Sequence, residues 1–63
     1  EVNKMKYKVV DRRNPKWSKE FKTKRECRAW VMEGMFACEG AERDHYVNML
    51  YELEQGRTIL HYN

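Results

Sequence analysis

At Thr23 the spacing of the apolar residues changes from a period of two to steps of three and four, and that switch limits what the chain can become. Before it, residues 5–10 alternate, with Met5, Tyr7 and Val9 on one face and Lys4, Lys6 and Lys8 on the other. This is the pattern of a strand buried on one side and cationic on the other. Residues 17–22 alternate again, turning Trp17, Lys19 and Phe21 one way and Ser18, Glu20 and Lys22 the other. Trp17 and Phe21 are expected to join the core, with the stem of Lys19 running past them to water. Between the two strands, Asp11-Arg12-Arg13-Asn14-Pro15-Lys16 carries turn chemistry: Asp and Asn bond nearby backbone and Pro fixes φ. A β-hairpin follows.

After the switch, Thr23-Lys24-Arg25-Glu26 fits a capping box, in which a hydroxyl and a carboxylate satisfy backbone donors that a helix start leaves unpaired. A helix is predicted from residue 24 to residue 37 or 38, its stripe formed by Cys27, Trp30, Val31, Gly34, Met35 and Cys38, with Gly34 weakening its second half. Glu39-Gly40-Ala41 breaks the pattern, and residues 42–55 resume helical spacing through Tyr46, Val47, Leu50, Tyr51 and Leu53. Glu42 and Asp44 suit the positive end of that helix, and Gly56 suits the position just past its other end. Residues 58–62, rich in β-branched and aromatic side chains, are predicted to return as a third strand. The expected fold is therefore a two-layer α+β arrangement in the order β-β-α-α-β. It has an antiparallel three-stranded sheet and both helices on one face, within one small domain spanning residues 1–63. A chain of 63 residues buries only about 60% of the surface that its unfolded form exposes, so a second domain is excluded.

Charge is distributed unevenly along the chain. Residues 1–30 hold eleven Lys or Arg against four Asp or Glu, a net +7, while residues 31–63 hold two against six, a net −4. Such asymmetry points to a charged partner. The hairpin carries most of the positive side: Lys4, Lys6, Lys8 and Lys22 on its outer face, and Arg12, Arg13 and Lys16 at its turn. A two-stranded ribbon of this width can enter a major groove, and a cationic tip can hold phosphates by charge and counterion release. The same lysines also block edge-to-edge pairing of an exposed strand, Glu20 interrupts the cluster, and the outer face offers no second aromatic for base stacking.

Other chemistry is sparse. Cys27 and Cys38 fall on one helical stripe about 16 Å apart, too far for a disulfide, so free buried thiols are expected. The spacing Cys-x10-Cys-x6-His-x15-His lacks the short paired steps of a zinc site. Cys27 near a helix start has a nucleophile's position, yet its place on the apolar stripe argues for packing. With no phosphate loop, nucleophile elbow or deaminase motif, the expectation is a protein that is not an enzyme and uses no cofactor or metal. The longest apolar runs, 29–32 and 35–38, are four residues each, so no membrane partner is expected. The N-terminal stretch lacks the layout of a secretory signal, and the expected location is cytoplasmic.

The run Phe21-Lys22-Thr23-Lys24-Arg25-Glu26-Cys27-Arg28-Ala29-Trp30 resembles the Phe-x-Thr-Lys-x-Glu-Ala-x-x-Trp strand-to-helix junction in the N-terminal arm-binding domains of tyrosine integrases from phages and mobile elements. The resemblance covers ten of 63 residues and departs from the pattern at Cys27, where Ala is usual. It implies a basic sheet placed in a DNA groove with a helix behind it, a role that would fall to Lys4, Lys6, Lys8 and Lys22. More loosely, the chain is similar to small phage or mobile-element regulators. Two readings follow: a non-enzymatic module whose basic hairpin contacts nucleic acid, or an inhibitor or adaptor that engages a host protein through its charge-divided surface. The second would use Trp17, Tyr46, Tyr51 and Tyr62 as interface anchors, and the same residues could support a homodimer.

Overall fold

A computed structural model describes residues 6–62 of the chain. Met5 and Lys4, expected at the start of the first strand and on its outer face, lie outside the described residues. Strand β1 spans Tyr7–Val10 and β2 spans Ser18–Phe21; helices α1 and α2 follow at Lys24–Ala37 and Ala41–Glu54, and β3 at Ile59–His61 closes the order β-β-α-α-β. The sheet order is β2-β1-β3. In the hairpin, Tyr7 pairs with Phe21, Lys8 with Glu20, Val9 with Lys19 and Val10 with Ser18, all antiparallel.

The sheet is mixed rather than antiparallel, because β3 runs parallel to β1, with Lys8 beside Ile59 and Val10 beside His61. The reason is parity. Four short connections separate β1 from β3, and a chain that reverses at each of them arrives running as it left.

Alternation along the strands sends Tyr7 and Val9 of β1 and Leu60 of β3 inward, where they meet Cys27 and Val31 of α1 and Met49 and Leu53 of α2. The α1 stripe therefore forms at the expected positions. On α2 the buried side is one step away from part of the expected set: Met49 and Leu53 are buried, whereas Val47 and Tyr51 are exposed, Tyr51 by 66%. Trp17 also departs from expectation. It precedes β2, which is an edge strand, and is 37% exposed instead of joining the core. Phe21 is half-buried and packs on the core, and the Lys19 ammonium lies 5.4 Å from its ring centroid, a cation–π contact.

The helix ends follow local chemistry. The Thr23 hydroxyl accepts from the Glu26 N–H at 3.1 Å, the threonine half of the capping box. Gly40, at φ 67°, begins α2 in a conformation open mainly to glycine. Past the other end, Gly56 at φ 90° completes a Schellman motif, with its N–H on the Leu53 carbonyl and the Arg57 N–H on that of Glu52.

Candidate functional site

The turn joining β1 to β2 is built by Asp11. One of its carboxylate oxygens accepts from the Arg13 N–H at 2.9 Å, and two backbone bonds, Asn14 to Asp11 and Trp17 to Asn14, fold the segment into successive turns. Arg12, Arg13 and Lys16 consequently stand exposed at the tip. Lys6 and Lys22 meet at the opposite end of the ribbon, where they line a shallow hollow of about 200 Å³ with Glu20 and Phe21. The four residues of β1 separate Lys6 from the turn that carries Arg12, and the six steps between the two span at most roughly 20 Å at about 3.3 Å per residue. Lys8, between these clusters, is half-buried and stands across the ladder from Glu20. The expected basic face is thus two cationic ends around a partly neutralised middle.

The lower cluster continues onto α1. Lys24, Arg25 and Arg28 line a depression of about 560 Å³ with Ala29, Met32 and Glu54, and Arg28 Nε pairs with Glu54 at 3.1 Å. Sequence reasoning passed over these three cations as part of a helix start. A signal was available, since positive side chains in a first helical turn oppose the helix dipole and only Glu26 complements it there.

The expected interface aromatics separate into two places. Trp17, Tyr46 and Tyr62 converge with Trp30, Asp11 and Asn14 around a concavity of about 260 Å³. Tyr51 does not join them. It lies with Arg12, Asn48, Glu52, Gln55, Arg57 and His61 around another hollow of about 350 Å³. Trp30, unnamed among the expected site residues, links the first group to the core: its ring centroid lies 5.7 Å from Phe21 and 5.5 Å from Tyr46, and Tyr46 meets Tyr62 edge-on at 5.4 Å. Burial raises the phenol pKa values of Tyr46 and Tyr62 above the usual tyrosine range, and the nearby Glu42 carboxylate adds to both shifts.

No protein-family model, curated protein sequence or solved structure matches the chain.

Both cysteines are free, Cys27 fully buried and Cys38 half-buried. Burial pushes the Cys27 thiol pKa up, the opposite of what a nucleophile needs. Among the described residues, no three His, Cys, Asp or Glu side chains converge as a metal site would require, and no helix is long and apolar enough to cross a membrane.

Proposed function

We propose that this chain is a non-enzymatic binding module whose basic hairpin, extended by the first turn of α1, contacts the phosphate backbone of a nucleic acid. The observation that carries this reading is the clustering of exposed cations at both ends of one short ribbon: Arg12, Arg13 and Lys16 at the tip, and Lys6, Lys22, Lys24, Arg25 and Arg28 at its base. Among the described residues, ion pairs engage Arg28, Arg57 and His61, and none engages Lys6, Arg12, Arg13, Lys16 or Lys22. Two cationic clusters a strand length apart suit separate phosphates, and Glu20 between them disfavours a continuous track. The resemblance of residues 21–30 to integrase arm-binding domains agrees with this role.

The test is fluorescence anisotropy of labelled duplex and single-stranded DNA and RNA over a salt series. Binding with a log–log salt slope near about −4 is expected, as about four or five phosphate contacts give. Lys6→Glu with Lys22→Glu, and separately Arg12→Glu with Arg13→Glu, each weaken binding at least tenfold and flatten the slope. Unchanged affinity in both double variants rejects the reading.

A second reading, an inhibitor or adaptor that binds a host protein, is favoured by the exposed apolar side chains Phe36, Val47 and Tyr51 on the two helices. Recovery of one stoichiometric protein partner that Tyr51→Ala releases, together with no nucleic-acid binding at low salt, would select it.

A further inference from the structure

We infer that the concavity between the hairpin turn and the two helices is a binding site for an organic cation of the alkylated or quaternary ammonium class. Four rings from four parts of the chain line it: Trp17 just before β2, Trp30 of α1, Tyr46 of α2, and Tyr62 just after β3. Neither of the two ring contacts among Trp30, Tyr46 and Tyr62 is face to face: Trp30 and Tyr46 are inclined at 59°, and Tyr46 and Tyr62 at 79°, so these three rings stand as walls rather than as a platform. Aromatic faces carry negative quadrupole charge, and inclined rings around a small hollow are the arrangement that receives an ammonium group.

Two further features select a cation. Asp11 is the sole charged residue of the lining, and it is half-buried. Its bond to the Arg13 N–H uses one carboxylate oxygen, and no side-chain cation pairs with it among the described residues. Burial raises the pKa of the Tyr62 phenol, and the Glu42 and Asp11 carboxylates add to the rise, so negative charge lies near this ring. A phosphate is repelled by these carboxylates, so this site is separate from the cationic ends of the hairpin. The volume, about 260 Å³, falls below the usual range for drug-sized ligands and suits a compact headgroup.

Such a headgroup is found on free choline-like amines and on methylated lysine side chains of proteins, and the test separates these sources. Both tryptophans of the chain line the site, so intrinsic fluorescence reports its occupancy directly. Choline and tetramethylammonium should change the fluorescence saturably, and 3,3-dimethylbutanol, the uncharged isostere of choline, should bind about tenfold more weakly or worse. Asp11→Asn keeps an oxygen for the Arg13 N–H and removes the charge; it should weaken choline at least fivefold with an unchanged circular dichroism spectrum. Trp17→Ala, at an exposed position, should abolish the response to tetramethylammonium while the fold is retained. A trimethyl-lysine peptide that binds more tightly than choline, and than its unmodified counterpart, assigns the site to a partner's side chain; equal or weaker binding assigns it to a free amine. Equal affinity for choline and its isostere, an unaffected Asp11→Asn variant, or no saturable change with either cation overturns the proposal. Nucleic-acid binding by the hairpin stands or falls apart from all of these outcomes.

Discussion

Gly34 sits in the last turn of α1, still within the helix, where glycine is ordinarily up to about 1 kcal/mol less favourable than alanine. Its place is explained by its neighbour. A Cβ there would come within 2.5 Å of Tyr46 Cδ1 and closer still to Cε1 and Cζ, so the missing side chain is the seat of the Tyr46 ring. Gly34→Ala should therefore destabilise the fold by roughly 1–3 kcal/mol through overpacking, despite its better helix propensity. Urea denaturation measures this, and the sign should reverse in a Tyr46→Ala background, where the alanine no longer meets a ring. A stabilised Gly34→Ala single variant would show that the ring simply moves aside. The α1 stripe was legible because 3.6-residue periodicity records which side faces the core. The purpose of Gly34 was not, since it depends on a tyrosine twelve residues on in another helix. Trp17 was misread for a related reason: alternation gives the face of a residue, whereas its burial depends on what covers the edge of the sheet.

The strand and helix boundaries were largely written in local chemistry. Thr23 caps α1, Gly56 ends α2, and Asp11 folds the hairpin turn, each through bonds to residues two or three positions away or, for Gly56, through a backbone shape that glycine adopts readily. Thr23→Ala should cost about 1 kcal/mol, read as a lower urea midpoint, and Thr23→Ser should restore most of it. The direction of β3 could have been recovered by counting chain reversals, but the contact that holds its outer edge could not. The His61 N–H donates to Glu52 Oε1 at 3.0 Å, while Oε2 of the same carboxylate lies 3.5 Å from His61 Nδ1. Because the Tyr62 N–H donates to Val10 in the sheet, the His61 N–H next to it points away from β1, and Glu52 satisfies an edge donor that would otherwise be open to another strand. Glu52→Ala should consequently lower stability by about 1–3 kcal/mol and speed amide exchange at His61 ahead of the β1 amides. Uniform exchange throughout the sheet would mean that the carboxylate is not what holds this edge.

At the scale of the whole molecule, the division into a basic half, residues 1–30, and an acidic half, residues 31–63, was plain from charge counting, whereas the aromatic concavity was not, because its four rings are brought together only by the fold. That assembly also sets how the protein responds to alkali. Burial raises the pKa of the Cys27 thiol above its ordinary 9.0, and those of the Tyr46 and Tyr62 phenols above 10.0. All three groups are neutral when protonated, so the folded state favours their protonated forms, and the unfolded chain releases these protons first as pH rises. The stability they contribute is present in full below the unfolded values of 9.0 and 10.0 and is lost as pH climbs through the higher folded ones. The urea midpoint should hold steady through neutral pH, begin to fall above about pH 9 and fall more steeply above about pH 10. Cys27→Ala, though less stable throughout from the cavity it leaves, should lose the first step and keep the second. Tyrosinate absorbance in the same solutions should show two phenols ionising late, together with unfolding. If the Tyr46 and Tyr62 phenols ionise at the unfolded value of 10.0 while the fold persists, burial does not hold them protonated, and they contribute nothing to the loss of stability in alkali.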